Sequence, residues 1–208
     1  MATLNDPALH SRAEPGGWYP PVKRLIDVVA AAAALLVLSP LWLLIAAAIA
    51  ADSAGPIIFR QHRIGRWSRP FMCWKFRTMR SGTPDLPSHA VSDEQRRRYT
   101  TRVGRVLRRL TLDEIPQFVN VLRGEMSLVG PRPALYNQDD LIRMRRERGI
   151  DRVRPGMTGL AQVEGRDAIT LEEKVGYDER YVRQLSPLAD LRCVVKTVGL
   201  VLHGQGAN

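Results

Sequence analysis

The chain has 208 residues, enough for one domain with a real core and little beyond it. Its 31 Lys and Arg against 21 Asp and Glu give a formal charge of +10 and a pI near 10.4. That balance calls for an anionic partner: nucleic acid, anionic lipid headgroups or phosphorylated substrates. Cys73 and Cys193 stand too far apart in sequence to read as a disulfide framework or a zinc site. They read as small buried apolar residues of a domain facing a reducing compartment.

Residues 1–22 form a loose lead-in punctuated by Pro15, Gly16, Gly17 and Pro20, with Trp18 and Tyr19 suited to a membrane interface. Residues 28–51 carry no charge. As one helix they would run roughly 36 Å, against about 30 Å of hydrocarbon. Two features oppose a simple span. Pro40 lacks an N–H, so the Leu36 carbonyl loses its helical partner, and the Ser39 hydroxyl is the nearest substitute donor. Lys23 and Arg24 precede the run, and Arg60, Arg63, Arg66 and Arg69 follow it, so both ends prefer the cytoplasmic side. A helix–break–helix entering and leaving one leaflet satisfies both, with arms at residues 25–38 and 41–51. A true span and a buried soluble helix are the competing readings. A signal peptide is disfavoured because the segment ends near residue 51.

Residues 56–61 and 71–77 read as short strands joined by a basic turn around Gly65. Residues 81–92, with Gly82, Pro84 and Pro87, read as a loop. Residues 94–110 are Arg-dense, from Arg96 to Arg109, and Val103, Val106, Leu107 and Leu110 share one helical face. Such a helix suits a membrane interface or an ordinary core contact equally. Residues 138–148 predict a short polar helix. Thr170 and Glu173 make a capping box for a helix to about Gln184. Ser186-Pro187 opens a last helix whose apolar face holds Leu188, Leu191, Val194, Val195, Val198 and Leu202, with Gly204 as its stop.

The most informative stretch is Arg108-Arg109-Leu110-Thr111-Leu112-Asp113-Glu114-Ile115-Pro116-Gln117. Ile115, Val119 and Leu122 share a face, and Pro116 belongs in a first helical turn, so a helix is predicted to begin near Asp113. Its N-terminus favours negative charge. Alone, the acidic pair reads as a helix cap. Three cationic clusters change that reading: Lys75-Phe76-Arg77 on a strand end, Arg132 stiffened by Pro131 and Pro133, and the glycine-rich turn from Arg154 through Gly159 with Arg166 beyond it. Together they predict a phosphate-binding basin around the carboxylate pair. A carboxylate can attack phosphorus, a diphosphate brings Mg²⁺, and arginines stabilise the transferring group.

The motifs Lys23-Arg24-Leu25-Ile26-Asp27, Ser39-Pro40, Lys75-Phe76-Arg77-Thr78-Met79 and Leu112-Asp113-Glu114-Ile115-Pro116-Gln117 resemble those of the bacterial sugar transferases, the monotopic phosphoglycosyl transferases. The stretch from Asn120 to Pro133, the turn Arg154-Pro155-Gly156-Met157-Thr158-Gly159 and Gln162-Val163-Glu164-Gly165-Arg166 extend the match over most of residues 23–204. The resemblance implies transfer of a sugar 1-phosphate from a UDP-sugar to undecaprenyl phosphate with release of UMP, as the first membrane step of glycoconjugate assembly. It makes Asp113 the nucleophile and Mg²⁺ ligand, and Glu114 the residue that positions the metal or assists proton transfer. It puts Arg108, Arg132 with Pro133, and Arg166 at the substrate site, with Lys75 and Arg77 as weaker carry-overs. Ser39 and Pro40 become the break of a re-entrant helix. The sequence departs from the common pattern at Ile115, Leu160 and Asp167.

The expected fold is α/β mixed and mostly helical. Residues 23–52 form a re-entrant membrane helix, and residues 53–208 a catalytic domain at the cytoplasmic face of the bacterial inner membrane, with interfacial amphipathic helices and a small sheet bearing the site. Membrane lipids are expected partners and nucleic acid is not, since only 6% of residues are aromatic and no stacking platform is evident. A nucleic-acid-binding protein and a non-catalytic lipid scaffold are the alternatives, and both leave Asp113-Glu114 unexplained.

Overall fold

A computed structural model describes residues 17–83, 93–165 and 169–203. Arg166, Asp167, Gly204, most of the 81–92 loop and the first sixteen residues lie outside the described residues. The architecture is mixed α/β and mostly helical, with two small sheets.

Helices α1 (Tyr19–Val37) and α2 (Ser39–Asp52) are bent by 61° at Leu38. The cause is the one expected from Pro40. The Ser39 hydroxyl donates to the Leu36 carbonyl at 2.8 Å and replaces the missing N–H. No single described helix is long and apolar enough to cross a membrane; the bent pair together meets that standard by length and composition.

Each arm buries one side and exposes the other. Ala31 of α1 packs with Cys73, Val121 and Met126, and Ile45 and Ile49 of α2 pack with Phe76, Leu107 and Ile115. The opposite side shows Leu25, Val29, Leu36, Val37, Leu43 and Leu44, with Leu36 at 76% exposure. Polar contacts pin both ends to the rest of the chain. At the start, Arg24 donates to the carbonyls of Val121 and Leu122, and Asp27 accepts the Leu128 N–H. Lys23 and the Tyr19 hydroxyl meet Asp190. At the far end Asp52 accepts the Val103 N–H at 3.0 Å.

Strands β1 (Ile58–Ile64) and β2 (Pro70–Phe76) pair antiparallel, with Ile58 opposite Phe76 and Ile64 opposite Pro70. β1 lies later than the expected 56–61, because pairing runs up to the turn and Pro56 has no ladder donor. A third strand, β4 (Ala134–Leu135), joins the outer edge of β1. The other edge of β2 is satisfied by a side chain. Asn120 accepts the Trp74 N–H at 3.0 Å and donates to the Met72 carbonyl at 2.7 Å, as a peptide group of a fourth strand would. The second sheet pairs β3 (Ser127–Val129) with β5 (Gly156–Thr158) in parallel.

The Arg-dense segment is two helices rather than one, α3 (Asp93–Tyr99) and α4 (Arg102–Arg109). Thr101 is extended and caps α4 by accepting the Gly104 N–H, while Thr100 bridges Met79. Gly104 lets α4 touch the chain after β2: a Cβ there would lie 2.1 Å from the Thr78 carbonyl oxygen. On α4, Leu107 is buried while Val106 and Leu110 are exposed, so the apolar face is divided between core and surface.

Helices α5 (Gln117–Arg123) and α6 (Asp139–Glu147) precede α7 (Leu171–Arg183), which carries the expected capping box. Helix α8 (Pro187–Leu202) opens on Ser186, whose hydroxyl accepts the Ala189 N–H. Its apolar face looks outward. Leu188, Leu191, Val195 and Val198 are each more than half exposed, and Cys193 on the other side enters the core. Both cysteines are free and buried.

Candidate active site

Chain geometry around the acidic pair is compressed. Helix α4 ends at Leu110, and Thr111 then adopts the left-handed region at φ 58°. That conformation costs a β-branched residue about 1–3 kcal/mol, so surrounding contacts must hold it. One 3₁₀ turn, Leu112–Glu114, carries the pair. Helix α5 follows from Gln117, with Pro116 as its cap. The expected helix start at Asp113 is thus displaced by three to four residues: the reversal at Thr111 leaves room for only one tight turn before Pro116. Adjacent residues on such a turn point differently, and the two carboxylates enter different surroundings.

Glu114 is buried, and one carboxylate oxygen meets two cations. Lys75 of β2 donates to Oε1 at 2.7 Å, and Arg132, from the β3–β4 connection, donates to it at 2.9 Å. Burial by itself would raise this carboxyl, but Arg132 and Lys75 outweigh it and hold it down at about 2. Arg132 is braced from behind. Arg145 of α6 donates to the Arg132 carbonyl at 2.8 Å and forms a buried ion pair with Asp178 of α7 at 2.6 Å.

Asp113 makes no ion pair among the described residues. Burial raises its carboxyl above the usual range and the Glu114 charge adds to the rise, while Lys75 and Arg108 pull against it. The site therefore pairs a carboxylate locked in charge with a neighbour of raised basicity beside cations. A more basic carboxylate is the better nucleophile, provided that it is ionised.

The structure brings Lys75, Asp113, Glu114, Arg108 and Arg132 together. Arg108 approaches from α4 and its Nε–H donates to the Thr78 hydroxyl at 2.9 Å. Arg77 is not brought there. Its buried guanidinium donates to the carbonyls of Ser53 and Ala54 and to the hydroxyls of Ser53 and Ser81, tying the end of α2 to the sheet. Strand alternation would put Arg77 on the face of Lys75, but Arg77 lies past the last strand residue and its side chain turns to the end of α2. Pro133 is buried, and its carbonyl accepts from Arg63. Arg166 lies outside the described residues.

Three supporting residues escape the sequence reading: Asn120, Arg145 and Asp178. A polar residue inside the apolar pattern of α5 is the signal for Asn120. For the buried pair no local signal exists, since its members are 33 residues apart.

No group of three or more His, Cys, Asp or Glu among the described residues could hold a metal ion. Mg²⁺ in phosphoryl transfer needs only one or two carboxylates, with phosphate oxygens and water completing its shell. Asp113, uncommitted to any cation, fits that role, whereas the Glu114 oxygen facing Lys75 and Arg132 is engaged.

Comparison with known proteins gives this arrangement its class. Residues 18–204 match the family described as bacterial sugar transferase, and the chain belongs to that family. It is 43% identical over 207 residues to a UDP-glucose:undecaprenyl-phosphate glucose-1-phosphate transferase of Caulobacter vibrioides, covering 93% of this chain and 76% of that protein. It is 40% identical to the exopolysaccharide production protein ExoY of Sinorhizobium fredii, covering 89% of this chain and 87% of that one. A UDP-N-acetylgalactosamine-undecaprenyl-phosphate N-acetylgalactosaminephosphotransferase of Aeromonas hydrophila is 40% identical over 93% of this chain, which spans 47% of that longer protein.

Proposed function

We propose that the protein transfers a sugar 1-phosphate from a UDP-sugar to undecaprenyl phosphate and releases UMP, as the first membrane step in building a glycoconjugate. The observation that carries the reading is the division of labour in the dyad. Glu114 is locked by Lys75 and Arg132, and Asp113 is left uncommitted with a raised carboxyl. The names of the relatives from Caulobacter vibrioides and Aeromonas hydrophila support the substrates.

In the first step an Asp113 carboxylate oxygen attacks the β-phosphorus of the UDP-sugar. The bond from that phosphorus to the oxygen bridging it to the α-phosphate breaks, and UMP leaves. In the second step an oxygen of undecaprenyl phosphate attacks the same phosphorus. The aspartyl–phosphorus bond breaks, Asp113 is regenerated as a carboxylate, and the lipid diphosphate sugar departs. Lys75, Arg108 and Arg132 offset charge gathering on the phosphoryl oxygens. Bound Mg²⁺, held through Asp113, would supply Lewis-acid stabilisation of the diphosphate.

The bent pair α1–α2 seats the chain in the cytoplasmic leaflet of the bacterial inner membrane. Support comes from the exposed apolar side of both arms and from the outward apolar face of α8.

The test is UMP release from a panel of UDP-sugars with undecaprenyl phosphate and Mg²⁺, with an EDTA control. Asp113→Asn should abolish release while keeping or raising thermal stability at neutral pH. Its raised carboxyl contributes stability below the ordinary carboxylate pKa, and this is lost as pH rises through the folded value. Near-normal turnover by Asp113→Asn would refute the nucleophile assignment.

A further inference from the structure

The face of the sheet that carries Lys75 also carries an aromatic ring with no place in the core. Strands β1 and β2 pair without a bulge, and Phe59 stands directly opposite Lys75. Directly opposed residues share a face, with Cβ atoms about 4.5–5.5 Å apart. Lys75 shows which face this is, since its ammonium donates to Glu114. Cys73, next along that face of β2, is subject to the charges of Lys75, Arg63, Glu114 and Arg132 together.

Phe59 is 42% exposed. Among the described residues it joins no core cluster and touches no other ring or cation. Its neighbours Ile57 and Ile58 differ, for they pack with Ile45, Ile49 and Phe76. Strand β4 pairs with β1 only at Arg63 and Ile64, so no described strand flanks Phe59 on its outer side.

A lone exposed phenylalanine is ordinary on a protein surface, and position is what sets this one apart. Lys75 and Arg132 converge on the carboxylate next to Asp113, and both keep an open side, at 19% and 27% exposure of their side chains. The diphosphate of a UDP-sugar belongs at those cations. The group tied to that diphosphate on the side away from the sugar is uracil, a flat ring that stacks on an aromatic face. An isoprenoid chain would instead follow the exposed apolar sides of α1 and α2, and Phe59 has no part in the clusters that pack on either arm.

We propose that Phe59 is the platform on which the uracil ring of the nucleotide donor stacks. The proposal rests on the UDP-sugar reading given above and adds to it the place of the base.

The experiment titrates the full chain, in detergent with Mg²⁺, with UDP and separately with inorganic pyrophosphate. Phe59→Ala should weaken UDP binding by about 5- to 150-fold and leave pyrophosphate binding unmoved. Phe59→Trp should retain the affinity for UDP, and Phe59→Leu, apolar but not flat, should bind UDP like Phe59→Ala. In steady state the same loss should appear in KM for the UDP-sugar, with kcat and the KM for undecaprenyl phosphate unchanged. Equal weakening of UDP and pyrophosphate would make Phe59 a support of the cation site and overturn the platform. Unweakened UDP binding in Phe59→Ala, full affinity in Phe59→Leu, or a rise confined to the KM for the lipid would overturn it too. UDP binding that is lost in Phe59→Ala, from a wild type that releases no UMP, would sink the transfer reading and uphold the base site.

Discussion

Replacing Lys75 by methionine removes one of the two cations on Glu114 and keeps most of the side-chain volume. Glu114 sits at about 2 against an ordinary 4.5, a gap worth roughly 3 kcal/mol. Lys75 supplies one of its two contacts, so its loss should cost about 1.5 kcal/mol and lower the unfolding temperature by about 3–6 °C. A carboxyl whose folded pKa is depressed contributes stability above its unfolded value and loses it as pH falls. The difference between wild type and Lys75→Met should therefore be full at neutral pH and shrink between pH 4.5 and about 2. Catalysis offers a second reading. Lys75 is the strongest influence holding the Asp113 carboxyl down against burial. Without it, the acid limb of UMP release should move to higher pH. Lys75→Arg should restore the limb. An unmoved limb in Lys75→Met, with unchanged stability, would refute the coupling of the sheet to the dyad.

Asn120→Ala should cost about 2–4 kcal/mol by chemical denaturation, because it strands the Trp74 N–H and the Met72 carbonyl at a covered sheet edge. Gly104→Ala should destabilise by at least about 2 kcal/mol, since its Cβ meets Thr78 backbone, and it should weaken UMP release through the Arg108–Thr78 contact. Ser39→Ala should cost about 1 kcal/mol in detergent-solubilised protein by removing the donor to the Leu36 carbonyl. A Ser39→Thr variant should retain that stability.

Much of the fold was legible where one local rule decides. Pro40 predicts the bend and Ser39 its repair, and the Thr170–Glu173 box predicts the start of α7. The basic turn around Gly65 marked the hairpin and its two strands, the first of them a few residues early. Elsewhere distant contacts overrode the local pattern. The apolar spacing from Val103 to Leu110 is real, yet Thr101 breaks the longer helix because its N–H bonds the Thr78 carbonyl. Asp113 and Glu114 were legible as a pair, but their separate roles depend on Lys75 and Arg132, which come from other parts of the chain. Arg77 looked like a site cation because it neighbours Lys75 in sequence. Only the closure of α2 onto Ser53 and Ala54 reveals where its charge is used.

The fastening of α1 and α2 at both ends has a consequence for how the acceptor lipid arrives. Arg24 and Asp27 hold one end of the pair, and Asp52 and Arg77 hold the other, so no swivel separates the apolar arms from the dyad. In the proposed seating of the arms in a leaflet, Asp113 would stand at one fixed altitude over the headgroups. The bilayer plane would then act as a gauge, and a lipid phosphate diffusing in that plane would meet the aspartate without the enzyme having to reach for it.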